Sequence, residues 1–301
     1  MRQINSIING KVTQENILFY NEYGFLVAPN LLNKKSIDEL NDDAVKIVTG
    51  KSGEIEGVLP VEVNDTIEDT LKRYAAIHFP HKVSDVMKKH ASCDEIAEVL
   101  SKIVSPNVKC LQTMLFMKAP GKKGQSWHQD EYFIPTRDKS LIGAWIALED
   151  ADEENGCLWV IPKSHKEGYI RKRIPNENPN FADVDRADIK PYTEKDMIKV
   201  EVTEGSVIFF HGYLLHMSLA NRSNSRFRRA LVGHYSSAET MLPWDQDGRL
   251  DFTHDNRDIF MVAGKDPYAH KGTVDLSKPF VRPDVMDFNT EASRKRLQRE
   301  G

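Results

Sequence analysis

Along the first hundred residues apolar side chains recur with the period of a helix. In residues 36–48, Ile37, Leu40, Ala44, Ile47 and Val48 fall on one face and Gly50 follows as a stop. Similar stripes run through 66–76 and through 94–103, where Ile96, Val99, Leu100 and Ile103 line up. From residue 106 the pattern changes to short runs of strand character at 108–118, 141–148, 157–161, 197–202, 206–210, 214–219 and 229–235, punctuated by Gly, Pro, Asn and Asp. Helices first and strands after predict a mainly β (α+β) protein whose antiparallel core is braced by an N-terminal helical layer. The expected organisation is a single domain over 1–301. It comprises a helical layer at 1–105, a β core at 106–236 and a C-terminal extension at 237–301.

One stretch breaks the rhythm. Residues 165–196 carry three prolines, many charges and little periodicity. A loop of that length within a compact domain is expected to be a lid or binding segment. The tail from Arg294 to Glu300 reads as a solvated helix end.

Within the strand-rich part, Ser126-Trp127-His128-Gln129-Asp130 places an imidazole and a carboxylate two residues apart. In an extended segment these project to the same side and can hold one metal ion together. A third ligand must come from elsewhere, and His216, in Gly212-Tyr213-Leu214-Leu215-His216-Met217-Ser218, is the candidate. Two histidines and one carboxylate leave open positions on ferrous iron for a co-substrate and for oxygen.

The bulk numbers narrow the classes. The net charge of −4 offers no general attraction to nucleic acid, and no basic stripe with interleaved aromatics is present. The longest apolar runs fall short of the roughly 18 residues of a membrane span. The N-terminus, Met1 to Ser6, lacks the apolar core of a signal peptide, and three scattered cysteines, Cys93, Cys110 and Cys157, point to a reducing cytoplasm. Cys110 and Cys157 read as buried structural thiols, Trp127 and Trp159 as packing. His165 and Lys163 sit in a polar loop that is either solvated or substrate-facing.

Several runs recur in a telling order: Gln112-Thr113-Met114-Leu115, His128-Gln129-Asp130, Ala144-Trp145, Asn155-Gly156-Cys157-Leu158, Phe210-His211 through His216, and Phe227-Arg228. Together they resemble the phytanoyl-CoA dioxygenase family of iron(II)- and 2-oxoglutarate-dependent oxygenases, over about residues 16–236. The resemblance implies a double-stranded β-helix of jelly-roll type, with the metal at its open end. It implies His128, Asp130 and His216 as metal ligands and Arg228 as the grip on the distal carboxylate of 2-oxoglutarate, with Met114, Trp145 and Ser218 lining the co-substrate pocket. Guanidinium suits that carboxylate because it pairs through two parallel hydrogen bonds.

His211 is the rival of His216, and Arg226 and Arg229 are rivals of Arg228. His234 shares the Arg228 face and either lines the pocket or bonds a neighbour. Some members take a further basic contact from the N-terminal half, for which Lys72 and Arg73 are the guesses. The reaction implied is hydroxylation of a C–H bond of a small molecule, consuming O2 and releasing succinate and CO2. Asp130 argues against halogenation, which needs a small residue there. The rival readings are a desaturase or cyclase, a non-catalytic jelly-roll protein that binds a metal or metabolite, and a zinc hydrolase. The last lacks the glutamate of a His-Glu-x-x-His helix. Neither substrate nor oligomeric state can be read from the chain.

Overall fold

The computed structural model of the chain describes residue 7 and residues 11–240, 259–273 and 277–284. The tail from Arg294 to Glu300, and most of the expected C-terminal extension, lie outside the described residues. Among the described residues five α-helices precede the core: α1 (Gln14–Tyr23), α2 (Lys34–Val48), α3 (Ile67–Lys72), α4 (Asp85–Ala91) and α5 (Asp94–Ile103). α2 begins where the Asn33 side chain accepts from the Ser36 N–H and buries the stripe Ile37, Leu40, Ala44, Ile47 and Val48. Each such side chain taken out of water stabilises the layer by about 1.5–3 kcal/mol for the larger residues.

The N-terminal third is not only helical. β1 (Phe25–Ala28) and β2 (Tyr74–His78) join the main sheet, so the helix expected over 66–76 stops at Lys72. The stretch Tyr74-Ala75-Ala76-Ile77 can follow either period, and pairing with the core decides for the strand.

The core strands are β3 (Val108–Lys118), β4 (Gln125–His128), β5 (Ile142–Ala147), β6 (Leu158–Val160), β7 (Arg173–Pro175), β8 (Asp185–Ala187), β9 (Ile198–Val200), β10 (Val207–His211), β11 (His216–Ser218) and β12 (Arg228–Ser237). β13 (Phe260–Ala263) and β14 (Phe280–Pro283) add to the main sheet. Among the described residues that sheet runs β1-β10-β5-β12-β3-β2-β14, with β13 also on β3, and a smaller sheet runs β4-β11-β6-β9. All named pairings are antiparallel, and the two facing sheets make the double-stranded β-helix.

Alternation along the main sheet sorts its side chains. Ile142, Ala144 and Ile146 of β5, Val207 and Phe209 of β10, and Leu231 of β12 pack with the helices. Trp145, Ala147, Ile208, Phe210, Ala230 and Val232 pack inside the sandwich. Both faces are covered, so these strands read as continuous apolar runs.

Residues 165–196 are a built wall and not an open loop. They hold a 3-10 turn at Ser164–Glu167, the β7–β8 hairpin and a second turn at Glu194–Asp196. Phe181, Ala187, Ile189 and Tyr192 pack with Trp127, Leu215 and Met217. Gly156 takes φ 87°, and a Cβ there would lie 2.4 Å from the Leu219 carbonyl oxygen, so the turn before β6 requires glycine.

The turn after β4 is pinned by a buried acid. Glu131 is 3% exposed, its N–H donates to the Gly212 carbonyl, and its carboxylate accepts from the Thr136 N–H and hydroxyl. Burial, aided by the charges of Asp138 and Asp130, raises this carboxyl from 4.5 to about 7 against those hydrogen bonds. The folded state therefore favours the protonated acid. The resulting stability is complete below pH 4.5 and is lost as the pH rises to about 7. Glu131→Gln should gain on the native chain by at most roughly 3 kcal/mol between pH 5 and 8. Denaturant unfolding of both metal-free proteins across that range checks it; a constant difference would show that Glu131 does not titrate there.

Candidate metal and co-substrate site

β4 and β11 are distant in sequence and adjacent in space, with His216 directly opposite His128. β4 ends at His128, and Asp130 opens a 3-10 turn and not a further strand residue. Gln129 nevertheless keeps extended angles, φ −127° and ψ 128°, so His128 and Asp130 still project to one side. The Gln129 side chain points the other way. It donates to the Tyr213 carbonyl and accepts from the Arg171 N–H, tying the ligand-bearing turn to the wall segment.

Among the described residues, the group that could hold a metal is His128, Asp130 and His216, whose donor atoms lie within 4.8 Å of one another. The Nε2 atoms of His128 and His216 lie 3.6 and 3.5 Å from Asp130 Oδ1. These spacings are too long for good direct hydrogen bonds and suit a shared ion. Each Nδ1–H is fixed: His128 donates to the Ser126 carbonyl at 2.7 Å and His216 to the Leu214 carbonyl at 2.9 Å. A carbonyl only accepts, so both Nε2 lone pairs face the centre.

Charge states agree with a metal site. Burial, with His216 adding to it, pushes the His128 imidazole down to about 3, so it is neutral. Burial works to raise the Asp130 carboxyl, but His216, His234 and His128 outweigh it and hold it below the usual carboxylate range. Neutral imidazoles and an ionised carboxylate are the forms that bind cations.

His234, on β12, settles its own role by position. Gln112 Nε2 lies 3.2 Å from its Nδ1, and its Nε2 lies 3.1 Å from Asp130 Oδ2. The amide donates to Nδ1, so Nε2–H is left to donate to the carboxylate. Asp130 is thereby held by one oxygen and turns the other toward the two histidines.

These groups open into a cavity of about 1020 Å³. Its walls include Met114, Trp145, Ser218 and Arg228, each where the sequence places a co-substrate contact. Arg228 is 4% exposed, its guanidinium carbon sits 5.5 Å from the Trp145 ring, and its Nε has no partner. No carboxylate pairs with it among the described residues, and burial pushes it down from 12.5 to about 10. A guanidinium buried without a countercharge is costly and calls for an anion from outside the chain.

The rivals are occupied elsewhere. Arg226 forms an exposed fork with Asp152 and Glu154, at 2.7 and 2.6 Å. Arg229 pairs with Glu149 at 2.6 Å. His211 lies against His165, ring centroids 5.2 Å apart, and is not in the cavity wall. Lys72 pairs with Glu68, and Arg73 with Asp65 and the Pro60 carbonyl, so neither guess for a basic contact reaches the cavity. His165 donates to the Asn21 carbonyl and Lys163 pairs with Glu22, both away from the ligand cluster. Cys110 and Cys157 are buried.

The comparisons follow this geometry. The family model of phytanoyl-CoA dioxygenase matches residues 20–230. A phytanoyl-CoA dioxygenase of Arabidopsis thaliana is 35% identical over 56% of this chain and 59% of its own length. The human peroxisomal phytanoyl-CoA dioxygenase is 31% identical over 77% of this chain and 70% of its own. Among solved structures, EctD from S. alaskensis with bound Fe superposes with TM-score 0.60 at 18% identity, over 79% of this chain and 82% of that one. The epimerase SnoN, in complex with Fe3+, α-ketoglutarate and nogalamycin RO, gives 0.58 at 17% identity, over 79% and 93%. These two show the shared fold.

Loss of the His234 donor should loosen the carboxylate ligand. His234→Leu is expected to weaken Fe(II) binding by about 10- to 100-fold, and His234→Gln, which keeps a donor, to recover part of it. Anaerobic metal titration with circular dichroism as the folding control decides this; unchanged affinity in the Leu variant would reduce His234 to packing.

Proposed function

The chain belongs to the phytanoyl-CoA dioxygenase family of iron(II)- and 2-oxoglutarate-dependent oxygenases, and from that premise we propose that it hydroxylates a C–H bond of a small-molecule substrate. In this reading His128, Asp130 and His216 hold the iron, and Arg228, Ser218, Met114 and Trp145 receive 2-oxoglutarate. The observation that carries it is the meeting, in one cavity, of a triad of two imidazoles and a carboxylate with a buried guanidinium that no described carboxylate pairs.

When bound, iron and 2-oxoglutarate supply the oxidising power, coupling decarboxylation to succinate and CO2 with attack on a C–H bond. The protein positions and shields. Arg228 would hold the far carboxylate of 2-oxoglutarate, which a guanidinium can pair through two parallel hydrogen bonds, and so orient the co-substrate in the cavity. The Ser126 and Leu214 carbonyls and His234 keep the three ligands in register. Phe116, Phe133, Leu158 and Phe210 give the cavity apolar walls that exclude water from the reacting centre. At about 1020 Å³ the space exceeds what 2-oxoglutarate alone requires, since drug-sized ligands occupy pockets of roughly 300–1,000 Å³. His78, Phe79 and Ile134 also line it.

Asp130 supports oxygen insertion, because a full ligand set leaves no protein-vacated position for halide. Oxygen-triggered succinate formation with candidate substrates, followed by product mass, tests the proposal. A product heavier by one oxygen is expected; a product lighter by two hydrogens would make the enzyme a desaturase. Arg228→Ala should weaken 2-oxoglutarate by about 2 to 5 kcal/mol, the cost of truncating one partner of a buried charge pair. Steady-state succinate release against 2-oxoglutarate concentration measures it, and an unaltered requirement would remove Arg228 from the pocket.

A further inference from the structure

Arg228 does not stand alone. In the antiparallel register of β12 with β3 its partner is Lys118, the last residue of β3. Lys118 shares a face with Gln112, Met114 and Phe116, and all four line the cavity. It is 8% exposed, and its Nζ lies 2.8 Å from Ser218 Oγ and 2.6 Å from the Leu219 carbonyl oxygen. No carboxylate pairs with it among the described residues. Burial first, and the neighbouring Arg228 charge second, press its ammonium well below the ordinary lysine range. The main sheet therefore points two buried cations into one cavity from paired positions, and no described carboxylate pairs with either.

We propose that Lys118 is a second cationic anchor of the co-substrate pocket, acting beside Arg228 on the distal carboxylate of 2-oxoglutarate and aiming the Ser218 hydroxyl at the same group. This rests on the reading of the site given above. The donor inventory supports it. An ammonium has three N–H donors and no acceptor, and two donors are spent on Ser218 and Leu219. The third is available to the cavity. Because Ser218 Oγ accepts from Lys118, its own hydrogen is released for a different acceptor, and a carboxylate gripped by Arg228 supplies one. Two cations and a hydroxyl then meet a carboxylate, which offers about four lone-pair sites. The anion also removes the repulsion between the cations, so its binding is favoured by more than the new hydrogen bonds alone.

The competing account makes Lys118 a tie between sheets, since Ser218 belongs to β11 and Leu219 follows it. The two accounts differ in which ligand they affect. Calorimetric titration of the oxygen-free, Fe(II)-loaded full chain with 2-oxoglutarate, and with 2-oxopentanoate, separates them. The second compound keeps the 2-oxo acid end but lacks the distal carboxylate. In Lys118→Met, 2-oxoglutarate should bind at least about tenfold more weakly, the loss of one charge-assisted hydrogen bond in a dry pocket, while 2-oxopentanoate stays within about twofold. Lys118→Gln retains an amide donor for Ser218 or Leu219 without the charge, and should show the same selective loss; it decides the question where the Met variant does not fold. Equal weakening of both ligands, or of neither, overturns the proposal. A native protein that binds the two compounds alike overturns the reading of the Arg228 pocket itself, and Lys118 as an anchor falls with it.

Discussion

The site depends on one strand pairing. β11 is three residues long and lies between β4 and β6, and it sets His216 opposite His128. Side chains alternate along a strand, so a slip of one residue would turn His216 out of the cavity and bring Met217 in. Short strands hold register poorly by themselves. Here the register is fixed from outside: the Leu215 N–H donates to Ser164 Oγ, the Ile161 N–H donates to the Leu215 carbonyl, and Leu215 and Met217 pack against Trp127 on the opposite face. The wall segment that joins this packing is thus part of what keeps the ligands aligned.

The second constraint is charge in a dry interior. The main sheet turns Lys118, Arg228 and His234 inward on neighbouring strands, a choice that an apolar sandwich would not make for stability. The polar groups divide by position. His234 is matched within the chain, by Asp130 and Gln112. Lys118 and Arg228 are not matched by any described carboxylate. Folding therefore leaves two buried cations in the cavity wall that no described carboxylate pairs, a demand that the proposed dianionic co-substrate would meet. Stability of the empty protein is lowered by the same feature that gives the pocket its selectivity.

Much of the site was legible in the chain. His128-Gln129-Asp130 stood out by its spacing, the resemblance to the family singled out His216 and Arg228, and β3 showed as an apolar run that the structure reproduces at 108–118. What stayed open did so for physical reasons. Arg226, Arg228 and Arg229 cannot be separated without knowing that Asp152, Glu154 and Glu149 lie within reach of two of them. β2 was hidden in a helical stripe because Leu71 and Tyr74 satisfy that period too. Lys118 was missed although its signal was present: once Met114 faces the pocket, alternation sends residues 116 and 118 the same way. Lys72 and Arg73, the residues the sequence offers for a basic contact, are bound to Glu68 and Asp65.

Those two constraints together explain how the cavity can be shared by two ligands. The cavity wall carries the triad, the paired cations Lys118 and Arg228, and also His78, Phe79 and Ile134. A dicarboxylate would find at Lys118 and Arg228 two buried cations that no described carboxylate pairs. The volume of about 1020 Å³ leaves room for a second ligand beside it. Strands β3 and β12 serve both tasks: Lys118 and Arg228 are the proposed anchors of the co-substrate, and a few residues along, Gln112 and His234 hold Asp130. The spacing between the paired cations and the groups that hold Asp130 is thus set along two paired strands of the main sheet, while His128 and His216 come from the smaller sheet. The site is assembled where the two sheets face each other, and each must keep its register for the other to be of use.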